Sequence, residues 1–214
     1  QYYDYVYAAF NSASQRYYLI EKDIQLDAGD QIELDGRKSH RLSITFPAGW
    51  EGRSFSPGFA GEKGNSFYYA PQISSFRISP GIYRPVFDIV NRSTGVLMSV
   101  KAGRNIELTK DMGWEIGQEF MPHITLDRNT IEFGRDLTGK IAFTDDFGNE
   151  LLATGREVYF DYEYYDPELI LVSRSGEEIS LPVGYRNFTI PADSFDDEGI
   201  YSLYLKYDLG YGEK

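Results

Sequence analysis

The alternating pattern of residues 199–207 constrains the fold of this chain more than any other stretch. A glycine at 199 marks a turn, and apolar or aromatic residues then occupy every second position: Tyr201, Leu203, Leu205 and Tyr207. The same Gly-Ile-Tyr phrase opens residues 81–89, where β-favouring residues again follow. A period of two in such residues is typical of a half-buried strand. We therefore expect both stretches to be late strands of antiparallel β-sandwiches.

Turns and short alternating runs continue along the chain, and we find no helical periodicity of any length. The 21 glycines and 9 prolines punctuate many short strands. A turn at Gly29 recurs at Gly134, in the same order relative to the Gly-Ile-Tyr phrase. Because 214 residues suffice for two domains of about 100 residues, the pattern predicts an all-β fold of two tandem antiparallel β-sandwiches. The predicted parts are an N-terminal strand at 1–18, a first sandwich at 19–110, a connector at 111–122 and a second sandwich at 123–214.

The net charge of the chain disfavours some classes of binding partner and favours others. The formal net charge is −12, with 33 acidic against 21 basic residues. Such a chain is repelled by phosphate backbones, and it has no Lys/Arg cluster for anionic lipid. Nucleic-acid binding and membrane insertion are therefore disfavoured, whereas divalent cations or a basic partner would be attracted. The alternative explanation of the charge is solubility alone.

The absence of cysteine bears on localisation. Secreted eukaryotic domains of this kind usually carry disulfides, so the composition favours a cytosolic protein or a prokaryotic surface protein. No apolar span of about 20 residues is present. The chain opens at Gln1 without a signal peptide, and we expect an extracellular or cell-surface protein whose signal peptide has been removed before Gln1.

The second predicted unit resembles a known pattern. It opens with Leu126-Asp127-Arg128, Gly134 and Leu137-Thr138-Gly139-Lys140, continues through an Asp-rich turn ending in Gly148-Asn149-Glu150, and closes with the strand after Gly199. Over residues 123–208 this is similar to prokaryotic immunoglobulin-like cell-surface domains, and short landmarks of it are echoed at 19–108. The resemblance implies immunoglobulin-like sandwiches that serve as spacers, adhesins, filament or tail-fibre subunits, or enzyme appendages, with no catalytic residue.

The N-terminal stretch is a candidate contact element. Residues 1–10 have high β-propensity and low charge, and they lie outside the internal repeat. Such a strand is either the edge strand of its own domain or a donor to a neighbouring subunit's sheet. The residues expected to contact a neighbour are Tyr3, Tyr5 and Tyr7.

A second candidate contact surface is the glycine- and aromatic-rich stretch 49–71, which we interpret as a long loop. Its exposed rings would stack on sugars or insert into another subunit. The contact residues would be Trp50, Phe55, Tyr68 and Tyr69. The equally weighted alternative is that these rings fold back over the open end of the sandwich.

Acidic turns make calcium the candidate cofactor, because this ion takes six to eight oxygen ligands, often from Asp-rich loops. The candidate ligands are Asp145, Asp146 and Asn149 in one turn, and Asp193, Asp196 and Asp197 in another. Neither turn matches the D-x-[DN]-x-[DN]-G loop, and Asp and Asn also favour turns for backbone reasons.

Two Asn-x-Ser/Thr sequons, at Asn91 and Asn187, lie near predicted turns where a glycan could be accommodated.

Catalytic constellations are weak. The two histidines, His40 and His123, lie in different predicted units and could supply at most two nitrogen ligands to zinc. No G-x-S-x-G motif supports a catalytic triad. Three acids share one face of a predicted strand, namely Glu157, Asp161 and Glu163, as is ordinary for a solvated strand face.

The sequence therefore predicts a non-catalytic extracellular structural or adhesive protein, a homo-oligomer or polymer that assembles into a filament or appendage through its N-terminal strand. The alternative is a carbohydrate-binding or accessory module of a secreted enzyme, with glycans as its ligands.

Overall fold

The computed structural model describes residues 2–12, 15–58, 68–69, 74–130, 132, 134–158, 161–164, 167–181, 187–195 and 199–207. Within these ranges the chain forms strands and two short 3-10 turns, Gly36–Lys38 and Ala192–Ser194, and no α-helix. The predicted all-β class is confirmed. None of the described segments is a helix of the length and hydrophobicity needed to cross a bilayer.

The strands follow one another at short intervals, as the frequent glycines and prolines require. In chain order they are β1 (Tyr2–Ser12), β2 (Gln15–Gln25), β3 (His40–Thr45), β4 (Trp50–Ser56), β5 (Tyr68–Tyr69), β6 (Ser75–Ile78), β7 (Gly81–Tyr83), β8 (Val86–Asn91), β9 (Val96–Lys101), β10 (Ile106–Leu108), β11 (Met112–Glu115), β12 (Met121–Leu126), β13 (Leu137–Thr144), β14 (Glu150–Val158), β15 (Asp161–Tyr164), β16 (Glu168–Val172), β17 (Glu178–Leu181), β18 (Asn187–Ile190) and β19 (Ser202–Lys206).

Four sheets arise from these strands. The largest has nine strands, in the order β12-β13-β14-β9-β8-β4-β5, with β15 paired to β14 and β18 to β13. A five-stranded sheet has the order β1-β2-β6-β3-β11, a three-stranded sheet the order β17-β16-β19, and β10 pairs with β7 alone. Most pairs are antiparallel, but β2–β6 and β11–β3 are parallel.

The core lies between the nine-stranded sheet and the smaller sheets. Phe55 of β4 stacks on Phe76 of β6, with ring centroids 4.1 Å apart, and Phe87 of β8 packs against both rings. All three side chains are fully buried. Toward the other end of the large sheet, Phe143 of β13 contacts Tyr207, just beyond β19, at 5.3 Å. The nine-stranded sheet therefore packs against the five-stranded sheet near β4 and contacts the residue after β19 near β13.

One sheet and one hydrophobic cluster extend across both predicted units. β14 belongs to the second predicted unit and β9 to the first. The two strands pair antiparallel, from Glu150–Lys101 to Arg156–Val96. The buried cluster is likewise continuous from Leu42 to Ile190. That the units 19–110 and 123–214 fold independently stays a prediction. Independent folding would require each unit to be stable without the β9–β14 pairing.

Two stretches differ from their sequence interpretation. Residues 50–56 of the expected loop form β4, because Trp50 and Phe55 supply the buried side of a strand that pairs with β8. Part of the expected connector forms β11, whose Trp114 is buried and whose partner is β3. In both cases burial against a distant strand outweighs the glycine-rich or polar local composition.

The two Gly-Ile-Tyr phrases occupy different settings. Arg84 and Pro85 divide the first stretch into β7 and β8, which lie in different sheets. The second stretch enters β19 only at Ser202, and there burial alternates as predicted, with Leu203 and Leu205 half-buried and Tyr204 exposed. Tyr207, expected on the buried side, is 41% exposed. Gly29 lies in a turn, as predicted, with a φ of 98°, and residues 30–35 form no strand.

Candidate functional site

Among the described residues, the free side of β1 is the longest strand edge of the two large sheets that has no paired strand. β1 pairs antiparallel with β2 from Tyr2–Gln25 to Ser12–Gln15. Because the terminal pair Ser12–Gln15 encloses only two residues, it must be a hydrogen-bonded pair, and the bonded positions of β1 are the even-numbered ones. The backbone N–H and C=O groups of the odd-numbered residues therefore point away from β2, and these include Tyr3, Tyr5 and Tyr7. No strand described in the structure pairs with this side of β1.

Two other strands that end these sheets, β5 and β12, differ from β1 within the described residues. β5 has two residues in the described part of the chain. In β12, Asp127 N–H donates to Thr138 O at 3.0 Å, so the outward-facing positions are 122, 124 and 126. Pro122 occupies the first of these and has no N–H to offer. Short length and proline are both devices that block edge-to-edge pairing.

The turn at 145–149 covers part of the edge of β11. Ile116 N–H donates to Thr45 O, so the even-numbered residues face β3 and the odd-numbered residues face outward. Two of the outward groups bond to the turn: Asn149 Nδ2 donates to Glu115 O at 2.7 Å, and Gly117 N–H donates to Asp145 Oδ2 at 2.7 Å. The turn side chains thus take the place of a neighbouring strand.

Asp145 holds this turn together. It is 6% exposed, and both carboxylate oxygens accept N–H groups. Oδ1 accepts from the backbone N–H groups of Phe147 (3.0 Å) and Asn149 (2.7 Å), and Oδ2 also accepts from Asn149 Nδ2 (2.8 Å). Trp114 Nε1 in turn donates to Asn149 Oδ1 at 2.7 Å. A buried carboxylate with this many donors is fully satisfied.

This geometry bears on the calcium prediction for Asp145, Asp146 and Asn149. A cation at Asp145 would have to displace N–H donors, while the neighbouring Asp146 is exposed. In the ranges that the structure describes, no group of three or more His, Cys, Asp or Glu side chains is arranged to hold a metal ion. Asp193 is exposed in a 3-10 turn, and Asp196 and Asp197 lie outside the described residues. Calcium binding stays a prediction.

A cleft of about 420 Å³ lies beside the open part of β11. Its walls are the 102–107 segment, β11 and the 145–149 turn. The Phe147 ring, 57% exposed, lies on its rim. Arg104, Glu107 and Glu115 are exposed residues that line it. The backbones of the two turns that form the cleft approach so closely that a Cβ on Gly103 would lie 1.6 Å from Gly148 O.

The aromatic contact residues predicted at 49–71 are divided by the fold. Trp50 is 9% exposed and Phe55 is fully buried, so both contribute to the core from within β4. Tyr68 and Tyr69 form β5, which pairs with Ser54 and Phe55. The structure does not bring these four residues together with the cleft at β11.

The two sequons lie at strand ends. Asn91 ends β8, and its Oδ1 accepts the backbone N–H and the hydroxyl of Ser93. Asn187 is exposed at the start of β18. Glycosylation at either asparagine stays a prediction.

An ion pair on the three-stranded sheet lowers the pKa of one exposed carboxyl group, that of Glu168. Lys206 Nζ lies 3.2 Å from Glu168 Oε2, and Ser180 Oγ donates to Glu168 Oε1 at 3.0 Å. The hydrogen bond from Lys206, together with that from Ser180, lowers the pKa of Glu168 below its ordinary value.

Sequence reasoning missed the cleft and the role of Trp114. The available signal was the tryptophan itself, a large apolar residue within an otherwise polar connector. Its partner Asn149 is 35 residues away, and no local pattern indicates that pairing.

Comparison with protein-family models, curated proteins and solved structures finds no match to the chain.

Proposed function

We propose that the protein is a non-catalytic extracellular structural or adhesive subunit that associates with copies of itself along the edge of β1. The observation that carries the proposal is the length of this edge: 11 residues, paired on one side only in the described structure. Unpaired N–H and C=O groups in a row are a template for another strand.

The sequence of β1 supports pairing with another chain. Asp4 is its single charged residue, and it contains no proline, glycine or lysine. Natural edge strands are usually blocked by such residues or by short length, and Pro122 blocks the outward side of β12 in this way. β1 lacks such a residue.

The pairing with β2 favours edge-to-edge addition over exchange of β1 between subunits. Withdrawal of β1 from its own chain would break the ladder that extends from Tyr2 to Ser12. Two antiparallel β1 edges would instead extend one five-stranded sheet into the next without internal rearrangement. That contact closes as a dimer, and a filament additionally needs a second surface.

Two further observations support the non-catalytic and extracellular parts of the proposal. Two of the described acidic residues use their hydrogen bonds to hold local structure: Asp145 binds groups of its own turn, and Glu168 binds Lys206. The resemblance of residues 123–208 to prokaryotic surface domains, together with the absence of cysteine, favours a prokaryotic cell surface.

Substitution of Tyr5 tests the proposal. Tyr5→Pro removes an outward N–H but leaves the bonds between β1 and β2, because proline is tolerated where the N–H faces solvent. Tyr5→Val is the matched control, since it changes the side chain and keeps the N–H. Sedimentation velocity over a range of concentrations should show association of the wild-type chain and of Tyr5→Val, and a monomeric Tyr5→Pro.

Equal association of Tyr5→Pro and the wild type would contradict pairing through this edge, as would a wild-type chain that stays monomeric at high concentration. Circular dichroism of each variant verifies that its sheet content is unchanged.

The cleft beside β11 favours a second candidate function, carbohydrate binding. The sequence anticipated this activity but assigned it to other residues, Trp50, Tyr68 and Tyr69.

A further inference from the structure

We infer that the cleft between the 102–107 segment, β11 and the 145–149 turn is a binding site for a neutral sugar, of mono- or disaccharide size. Three features carry the inference: a backbone N–H and C=O without a partner among the described residues, an exposed ring on a fixed turn, and the charges at the rim. It is independent of association through β1.

The backbone pair belongs to Gly113. Its N–H and C=O face outward from β11. On the same side of the strand, Glu115 O is hydrogen-bonded to Asn149 and Gly117 N–H to Asp145. The turn does not extend to Gly113, and within the described structure neither group has a hydrogen-bond partner. Gly113 is exposed and lines the cleft. A ligand in the cleft therefore meets one donor and one acceptor, side by side.

The ring belongs to Phe147, which is 57% exposed. Its position is set by the turn that carries it: Phe147 N–H donates to Asp145 Oδ1, and Asp145 N–H donates to Asn149 O. Asn149 is itself bonded to Trp114 and Glu115. An exposed aromatic ring on so constrained a turn is a preorganised apolar surface.

A sugar satisfies all of these groups at once. Neighbouring hydroxyls can each donate or accept, so a vicinal pair matches the N–H and C=O of Gly113. The C–H groups on one face of a pyranose ring pack against an aromatic ring such as Phe147. Glu107 and Glu115 accept further hydroxyl hydrogen bonds, which carboxylates make strongly.

Two other ligand classes fit less well. A peptide strand needs a run of free backbone groups, but the outward carbonyl of Glu115 is already bonded and only Gly113 offers both groups. An anion would meet two carboxylates, Glu107 and Glu115, against one arginine, Arg104. The volume of about 420 Å³ is near the lower end of the range for small-molecule sites, about 300–1,000 Å³, and so suits one or two sugar rings.

Trp114 provides a local signal for the test. Its indole N–H is hydrogen-bonded to Asn149 at the wall of the cleft. The other of the two tryptophans, Trp50, lies in the core and does not line the cleft. The full-length chain is titrated with glucose, galactose, mannose, N-acetylglucosamine and their disaccharides, and the two indole N–H resonances are followed by NMR. We expect a saturable millimolar shift of Trp114 with at least one neutral sugar, and no shift of Trp50.

Paired variants separate the sugar site from a structural effect. Phe147→Ala should weaken binding by about five- to tenfold, whereas Tyr204→Ala, which removes a ring of equal exposure outside the cleft, should leave binding unchanged. Gly113→Pro deletes the outward N–H and should weaken binding by about fivefold. Gly113→Ala keeps the N–H, and its Cβ would have no neighbour closer than Ser43 O at 4.0 Å, so it should bind like the wild type.

Glucuronate and an extended neutral peptide complete the series. Saturable binding of a neutral sugar, weakened in Phe147→Ala and Gly113→Pro but not in their controls, supports the inference. No saturable shift of Trp114 with any of the sugars overturns it, as does a response to glucuronate or peptide alone, or equal binding by all four variants.

Discussion

Asp145 shows how one side chain fixes the geometry of both the β11 edge and the cleft. Its two oxygens accept four N–H groups from three residues, Gly117, Phe147 and Asn149. Asp145→Asn would replace one oxygen by an amide NH₂, which would then face N–H donors. Since unsatisfied buried donors are costly, we expect a loss of about 2–3 kcal/mol in the free energy of unfolding, measured by urea denaturation.

Asp146→Asn is the matched control, because Asp146 is the exposed neighbour in the same turn. It should change the free energy of unfolding by less than about 0.5 kcal/mol. Equal effects of the two substitutions would show that the Asp145 network does not stabilise the fold.

Glu168 gives a prediction for pH. Its hydrogen bonds from Lys206 and Ser180 lower its pKa in the folded state, so the folded form is favoured while the carboxyl is ionised. That contribution is present above the unfolded pKa and is lost as pH falls through the lower, folded pKa. In an NMR titration Glu168 should titrate below an ordinary glutamate, and Lys206→Met should raise its midpoint. An unchanged midpoint in that variant would contradict the assigned cause.

Among elements, the close contact of the turns at Gly103 and Gly148 is the most sensitive to a small change. A Cβ on Gly103 would lie 1.6 Å from Gly148 O, which is backbone and cannot rotate away. Gly103→Ala should therefore force the two turns apart and cost about 2–3 kcal/mol in the free energy of unfolding.

Gly199→Ala is the control for this prediction, since a Cβ there would have nothing within 4 Å. Thermal and chemical denaturation of both variants gives the comparison. If Gly103→Ala is as stable as Gly199→Ala, the turns do not interlock in solution.

The elements also show how far sequence reasoning extends. The strand class, the turn at Gly29 and the alternation of Leu203 and Leu205 follow from local residue patterns, and the structure has them. The strands β4 and β11 could not be predicted from local patterns, because their composition is glycine-rich or polar. They form because they pair with β8 and β3 and bury side chains there. The cleft depends on the contact of Trp114 with Asn149, which no periodicity encodes.

At the scale of the whole molecule, the β9–β14 pairing tests the predicted division into two domains. It joins strands from both predicted units over Val96–Lys101, and the hydrophobic cluster is continuous. A fragment of residues 123–214 would leave the edge of β14 and part of its core exposed. We expect this fragment, made alone, to give a poorly dispersed NMR spectrum, whereas the full-length chain gives a dispersed one.

A well-dispersed spectrum from the fragment 123–214 would instead support two independent domains, as the recurring Gly29 and Gly134 turns predict. The complementary fragment 1–122 is the paired measurement, since it retains β9 without β14.

The central claim, association along β1, is tested most directly by amide hydrogen exchange at single-residue resolution as a function of protein concentration. The even-numbered amides of β1, bonded to β2, should be protected at all concentrations. The odd-numbered amides, including Tyr3, Tyr5 and Tyr7, should exchange rapidly in dilute solution and become protected as the chain associates. Odd-numbered amides that exchange rapidly at every concentration, while the protein is associated, would contradict the claim.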